Sequence, residues 1–198
     1  GIRTIAERIH SIAVFLEESI NRLGYKQVNA QYFDTLRFAL PDTISAQQIR
    51  TIALSKEVNL RYFKNGDVGM SIDETTDITA VNVLLSIFAI AAGRDWEKAS
   101  DVPMASSISA EMKRQSTYLT HEVFNKYHTE TEMMRYIKRL DRKDISLAHS
   151  MISLGSCTMK LNAAAEMLPL SRPEFMGMHP LVPEDQAEGY RELIYNLS

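Results

Sequence analysis

The stretch that decides the fold class is residues 60–72, which read Leu60-Arg-Tyr-Phe-Lys-Asn-Gly-Asp-Val-Gly-Met-Ser-Ile72. Two short runs of strand-forming residues, 60–63 and 68–72, flank the polar turn 64–67. The dipeptide Asn65-Gly66 at its centre tolerates positive φ at both central positions of a tight turn. The stretch therefore predicts a β-hairpin, and a hairpin requires antiparallel pairing.

Helical patterns lie on both sides of this hairpin. Apolar residues recur at helical spacing in three segments, and Gly24 and Gly93 mark the ends of the first and last. Ser45 and Gln48 suggest a capping box at the start of the middle one. A further strand is predicted before Pro41. The predicted elements are helices at 2–23, 46–58 and 78–92, and a strand at 32–40. We predict an α+β domain over residues 1–95, a small antiparallel sheet with all three helices on one face.

Composition excludes several classes of protein. The 198 residues are 45% hydrophobic and 24% charged, typical of a globular chain, and the net charge of −3 predicts no nucleic-acid partner. The longest apolar run, 81–92, is shorter than the roughly 20 residues of a membrane span. One cysteine cannot form an internal disulfide. His121, His128, His149 and His179 lack the spacing of metal ligands, so no metal site is expected.

Beyond the first domain the pattern changes twice. Residues 96–120 are polar and irregular, which predicts a tether. Residues 121–198 are mainly helical and extended, with a helix that opens at Thr129-Glu130-Thr131-Glu132 and continues through Leu140, and two further helices at 163–167 and 186–197. Because helical patterns reach almost to both ends, we expect the chain to be a piece of a longer protein.

The stretch 150–162 concentrates polar chemistry in its centre, residues 155–160, which read Gly-Ser-Cys-Thr-Met-Lys. Met159 stands where a phosphate-binding P-loop needs its second glycine, so a nucleotide P-loop is rejected. Two interpretations stay open, an ordinary connecting turn or a loop whose backbone and hydroxyls bind a carboxylate or phosphate. Cys157 fits a buried structural thiol, a nucleophile or a redox thiol. Lys160 fits a solvated lysine, an anion partner or, if desolvated, a lysine that forms a Schiff base.

From the residues alone, two classes of function are nearly balanced. One is an enzyme fragment with an anion-binding loop. The other is a freestanding interaction or regulatory module that docks through the charged helix at 130–142.

Longer motifs resemble one known family, the P-proteins (glycine decarboxylases) of the glycine cleavage system, and the similarity extends over essentially the whole chain. The motifs that carry it are His-Glu-Val-Phe-Asn-Lys-Tyr-His-Thr-Glu-Thr-Glu-Met-Met-Arg-Tyr-Ile at 121–137, Leu-Gly-Ser-Cys-Thr-Met-Lys-Leu-Asn at 154–162, Ala-Ala-Ala-Glu-Met at 163–167, Gln-Ala-Glu-Gly-Tyr at 186–190, Tyr-Phe-Asp-Thr-Leu at 32–36 and Asp-Glu-Thr-Thr at 73–76.

The resemblance implies an enzyme that uses pyridoxal phosphate, has fold type I and consists of two homologous halves. Residues 1–95 would be the small C-terminal domain of the first half, 96–120 the tether between the halves, and 121–198 the N-terminal segment of the second, cofactor-binding half. It also implies that the whole protein, expected to be a homodimer, decarboxylates glycine. The aminomethyl group then passes to the lipoyl arm of the H-protein, alongside the other glycine cleavage components.

By the same resemblance, Ser156, Cys157 and Thr158 are expected to line the active-site cleft where the halves meet, with Lys160 and His179 as further candidates. The lysine that carries the cofactor is expected in another part of the family's sequence. No catalytic residue is therefore assigned here, and the chain alone is expected to be inactive. The implied location is the cytoplasm in a bacterium and the mitochondrion in a eukaryote.

Overall fold

The hairpin is present, but its turn differs from the predicted type. In the computed structural model, which describes residues 1–143 and 164–198, strand β3 (Arg61–Tyr62) pairs antiparallel with β4 (Val68–Ser71). Gly66 N donates to Phe63 O at 3.0 Å, and Phe63 N donates to Asp67 O at 2.9 Å. Positive φ occurs at Gly66 (92°) but not at Asn65. The connection is thus a three-residue loop with glycine in the left-handed position, because only that residue must adopt positive φ.

The chain divides into two units, Gly1–Arg114, which we call the sheet unit, and Gln115–Ser198, the helical unit. Besides β3 and β4, the elements of the sheet unit are, in chain order, α1 (Ile2–Arg22), β1 (Lys26–Gln27), β2 (Thr35–Ala39), α2 (Ala46–Ser55) and α3 (Ile78–Ala92). Its four strands are all antiparallel, in the order β1-β2-β4-β3. The predicted α+β class is confirmed. The sequence pattern does not predict β1, and β2 is shorter than the predicted strand.

One face of the sheet forms the core with the helices. Leu36 pairs with Met70 and Phe38 with Val68, so these four side chains lie on the same face. All four are buried, and they belong to one cluster with buried residues of all three helices, among them Leu16, Ile49 and Phe88. The burial of this face is the main contribution to stability that the sheet can make.

Capping explains where the helices begin and end. Asp77 accepts from Ala80 N at 2.8 Å and starts α3, and Gly93 ends it at φ 59°. Ser45 accepts from Gln48 N at 3.1 Å and starts α2. The predicted capping box there is half formed, because Gln48 Nε2 donates instead to Ala91 O at 3.2 Å, near the end of α3. That bond joins the two helices.

The helical unit contains short elements. Among the residues of this unit that the structure describes, helix α4 (Glu130–Asp141) is the longest, and the others are α5 (Ala164–Met167), α6 (Pro173–Met176) and α7 (Glu188–Leu197), with 3₁₀ turns between them. The helices predicted at 129–140 and 186–197 are present with small shifts of their ends. The helix predicted at 163–167 is present over 164–167, and its first predicted residue lies outside the described residues. Within residues 1–143 and 164–198, no helix has both the length and the apolar character that crossing a bilayer requires.

The other face of the sheet carries an ion pair that joins β2 to the hairpin. Arg37 Nε and Nη2 each lie 2.7 Å from Asp67 Oδ2, and Asn65 Nδ2 donates to the same oxygen at 2.9 Å. The Arg37 guanidinium lies 4.2 Å from the centroid of the Phe63 ring. A Cβ at Gly69 would come within 2.9 Å of that ring, so the absence of a side chain at Gly69 leaves space for the ring to pack on the sheet.

Replacing Asp67 by alanine should lower the free energy of unfolding of the sheet unit by about 1–3 kcal/mol, because Arg37 loses its charged acceptor. Urea titration followed by Trp96 fluorescence measures this. Trp96 is the sole tryptophan and packs against the core of this unit. The control is Glu7→Ala, which removes the exposed Arg3–Glu7 pair at 2.8 Å and should cost at most about 1 kcal/mol. Equal losses in both variants would contradict the role assigned to the Arg37–Asp67 pair.

Tyr25 makes the stability of the sheet unit sensitive to alkaline pH. Its hydroxyl donates to Phe88 O at 2.8 Å, and burial raises the pKa of Tyr25 from 10.0 to about 12. The folded state favours the neutral phenol. The stabilisation of the folded state by neutral Tyr25 is therefore fully present below pH 10.0 and is lost as the pH rises through about 12.

Tyr25→Phe should lower the free energy of unfolding by about 1 kcal/mol at neutral pH. It should also make the loss of stability at alkaline pH less steep, since the titrating hydroxyl is gone. Urea titrations at neutral and alkaline pH check both effects. Tyr195→Phe, at a tyrosine that is 81% exposed, serves as the control and should change neither quantity.

Candidate functional site

Four of the five candidate site residues belong to the predicted active-site loop. Ser156, Cys157, Thr158 and Lys160 lie outside the described residues, 1–143 and 164–198. Their assignment to the wall of a cleft stays a prediction.

The fifth candidate, His179, lies exposed in a tight turn of the helical unit. Leu181 N donates to His179 Nδ1 at 3.0 Å, and Val182 N donates to His179 O at 3.0 Å. Because Nδ1 accepts a hydrogen bond, the neutral ring carries its proton on Nε2. His179 therefore presents an N–H donor that suits a carboxylate or phosphate oxygen.

A contact between two helices closes the chain segment that holds His179. The Tyr190 hydroxyl, on α7, donates to Phe175 O, on α6, at 2.5 Å. The two rings meet edge to face with centroids 6.0 Å apart. Pro173 is the first residue of α6, where a missing N–H has no cost. The turn of His179 is thus held at both ends by one aromatic pair.

Helix α4 begins with a complete capping box. Thr129 Oγ1 accepts from Glu132 N at 3.2 Å, and Glu132 Oε2 accepts from Thr129 N and His128 N, each at 3.2 Å. Hydrogen bonds, first from the backbone of Thr129 and then from that of His128, lower the pKa of Glu132. The carboxylate therefore stays ionised at neutral pH and fixes the start of the helix.

An aromatic cluster lies beside this start. The rings of Tyr127 and Tyr136 stack with centroids 4.4 Å apart, and the Arg139 guanidinium lies 5.5 and 5.2 Å from the two centroids. Arg139 also donates to the Tyr127 hydroxyl. The cluster ties the segment before α4 to the third turn of the helix, so we interpret it as structural.

The apolar face of α4 is exposed within the helical unit. Its members are Met133, Met134, Ile137 and Leu140, which are 44%, 64%, 55% and 44% exposed. Helix α7 likewise exposes Leu193, Ile194 and Leu197. Among the described side chains of this unit, none is buried. The unit therefore offers apolar surface and has no core of its own in the part of the chain that is described.

The described residues do not by themselves fit pyridoxal phosphate. That cofactor needs a lysine amine, a cradle of donors for its phosphate and a surface for its ring. His179 supplies one exposed donor, and the Tyr127–Tyr136 stack is already filled by Arg139. We therefore assign no chemical step through the cofactor to these residues. Nor do the described residues bring three potential metal ligands together.

Sequence reasoning missed one set of residues in the sheet unit. His10, Ser11 and Asn82 are polar, yet they are only 2%, 1% and 7% exposed. A signal was present, because each interrupts the apolar face of a helix, where a buried polar group needs a partner. Each of them forms a hydrogen bond with a residue of the predicted tether.

Comparison with known proteins agrees with the resemblance that the sequence motifs indicate. Residues 1–88 match the family described as glycine cleavage system P-protein. The chain is 81% identical over 198 residues to a glycine dehydrogenase (decarboxylating) of Bacteroides fragilis strain YCH46, covering 100% of this chain and 21% of that protein. The protein of the same name from Bacteroides thetaiotaomicron is 79% identical with the same coverage, and that from Flavobacterium johnsoniae is 46% identical over 197 residues, 20% of its length.

The chain thus spans about a fifth of the length of the curated relatives it matches. The match includes the residues of both units. The resemblance indicated by the sequence motifs is therefore confirmed along the whole chain, which is similar to one part of the P-protein of the glycine cleavage system.

Proposed function

We propose that this chain is part of an enzyme that decarboxylates glycine and transfers the remaining aminomethyl group to the lipoyl arm of an H-protein. The observation that carries the proposal is the 81% identity, over all 198 residues, to a glycine dehydrogenase (decarboxylating). Because the match covers 100% of this chain, both units have counterparts in that relative. Glycine, the H-protein and the other glycine cleavage components are the proposed partners.

The proposed cofactor is pyridoxal phosphate, which supplies an electron sink when it is bound. The part that we propose for this chain is to bind and orient. Ser156 and Thr158 offer hydroxyls, and His179 offers the Nε2 proton, to a carboxylate or phosphate oxygen. Cys157 and Lys160 complete the proposed wall. The lysine that carries the cofactor is proposed to lie outside this chain.

The domain layout is proposed on the same basis. Residues 1–95 are assigned as the small C-terminal domain of the first half, and the four-stranded antiparallel sheet with its helices supports this assignment. Residues 96–120 are assigned as the tether, and 121–198 as the start of the second half. A homodimer in the bacterial cytoplasm is the proposed state of the whole protein.

We propose further that the chain is inactive by itself. The exposed apolar faces of α4 and α7 support this, since about 1.5–3 kcal/mol is gained for each large apolar side chain that becomes buried. Side chains such as Met134 and Ile194 are 64% and 63% exposed here, so most of that gain is still to be made. The helical unit would obtain it from the rest of the enzyme.

A second candidate function is a freestanding interaction or regulatory module that docks through α4. The observation in its favour is the same exposed face, which lies beside a charged one that includes Arg135 and Lys138. The reading frame that encodes the chain separates the two candidates. If it continues past Ser198 into a long α/β segment, the module hypothesis fails. If it stops there, the enzyme proposal fails.

In the protein that contains this chain, Ser156→Ala and Thr158→Ala should each lower kcat/KM for glycine by roughly 10- to 100-fold. That is the loss expected when one hydrogen bond to a charged group is removed. Decarboxylation is measured as CO₂ release in the presence of lipoylated H-protein, and circular dichroism checks the fold.

The matched controls are Ser55→Ala and Thr51→Ala on α2. Their hydroxyls are exposed and bond only within their own helix, to Ile52 O at 2.7 Å and Gln47 O at 3.0 Å. These variants should have the same kcat/KM for glycine as the unsubstituted protein. If the two loop variants also keep it, Ser156 and Thr158 do not belong to the cleft.

Pyridoxal phosphate added to the 198-residue chain should give no visible absorbance band of a lysine-bound cofactor, because the proposed attachment site lies elsewhere. Borohydride reduction followed by peptide mass spectrometry identifies any lysine that is modified. A stoichiometric adduct at Lys160, with the other lysines unmodified, would show that the attachment site lies in this chain.

A further inference from the structure

Three buried polar side chains of the sheet unit face one extended segment, residues 99–107, which we call the strap. They are His10 and Ser11 on α1 and Asn82 on α3, named here the polar row. Each is less than a tenth exposed. A buried polar group without a partner costs free energy, so their partners matter to the fold.

Asn82 forms a paired contact with the strap. Its Nδ2 donates to Ala99 O at 2.9 Å, and its Oδ1 accepts from Ala99 N at 2.9 Å. The same Nδ2 also donates to Ile78 O at 2.9 Å, within α3. The side-chain amide thus bonds both polar atoms of one strap residue, as a neighbouring β-strand does.

Ser11 holds a second point of the strap. Ala105 N donates to Ser11 Oγ at 3.0 Å, and this hydroxyl lies 3.0 Å from Ala105 O and 2.7 Å from Glu7 O. Its one proton can serve either carbonyl. Here too the strap is contacted at its main chain.

His10 holds the third point. Ser107 N donates to His10 Nε2 at 3.0 Å, and His10 Nδ1 lies 2.7 Å from Phe33 O. Because Nε2 accepts, the neutral ring carries its proton on Nδ1 and donates it to the Phe33 carbonyl. The Phe33 ring stacks on the imidazole with centroids 5.8 Å apart. The Phe33 carbonyl therefore fixes the tautomer of His10, and Nε2 is left free of a proton to accept a hydrogen bond from a main-chain N–H.

We propose that the polar row is a binding site for extended main chain, occupied here by the strap. Its contacts at Ala99, Ala105 and Ser107 include main-chain atoms in every case, and two of these residues are alanines with no polar side chain. Apolar packing of Trp96 and Val102 against the core adds to the attachment. The site anchors the chain after α3 to the sheet unit as far as Ser107.

Amide hydrogen exchange of the 198-residue chain, resolved by NMR, tests this proposal. The amides of Ala99, Ala105 and Ser107 should be protected although they lie outside helices and strands. Ser11→Ala should speed the exchange of the Ala105 amide, relative to that of Phe88 in α3, by about fivefold, the effect of one lost hydrogen bond. The ratio to Phe88 removes any general loss of stability.

The matched control is Ser86→Ala. Ser86 is also a buried helix serine, but its hydroxyl donates to Val83 O at 2.7 Å within α3. This variant should leave the ratio unchanged. Ala105→Ser should also keep the strap protected, whereas Ala105→Pro, which lacks the N–H, should not. The proposal is overturned if the three strap amides exchange as fast as those of an unstructured peptide, or if both serine variants have the same effect.

Discussion

The sheet unit depends on covering the one apolar face of a small sheet. Its strands have two to five residues, too few for the sheet to be stable alone. Phe88 of α3 supplies much of the cover. Its ring lies 5.7 Å from Phe38 of the sheet and 5.0 Å, edge to face, from Tyr25, whose hydroxyl also bonds the Phe88 carbonyl. One residue therefore joins the central helix, the sheet and the segment between α1 and β1.

The same requirement explains why α3 tolerates polar residues. Most of its length is buried, so Asn82 and Ser86 lie in the interior and each needs a partner. Ser86 finds one in its own helix, and Asn82 finds two on Ala99. A polar side chain in a buried helix is thus used to fix the segment that follows. The bond to Ile78 O offsets part of the cost of burying the Asn82 amide, and the rest is offset only while that segment stays bound.

The fold was predictable where local chemistry determines it. Asp77 and Gly93 define α3 because a side-chain cap and a left-handed residue act within one turn. The hairpin was predictable for the same reason, although the turn type was wrong, since Asn-Gly also fits a three-residue loop. Strand β1 could not be predicted, because a two-residue edge strand with Lys26 and Gln27 has no detectable alternation. The strap was missed because its bonds cross up to 97 positions of sequence.

The candidate site was less predictable than the fold, for a physical reason. A turn with Ser156 and Thr158 has the same local pattern whether or not a ligand faces it, and spacing alone left both interpretations open. The family resemblance favours the ligand, and that assignment stays a prediction. His179 shows what local structure adds, since its bond from Leu181 N determines which ring nitrogen carries the proton.

The two units differ in what holds them together. The sheet unit buries a cluster that spans all of its helices and strands β2 and β4, whereas the described part of the helical unit buries no side chain. Ordering a residue costs about 1–2 kcal/mol in backbone entropy, which one capping box and two aromatic pairs cannot offset over so many residues. Apolar contact must supply the difference. Met134 and Ile137 already lie on one helical face, the arrangement that a larger protein body would cover. In its described residues the helical unit thus presents apolar helix faces that its own side chains leave uncovered.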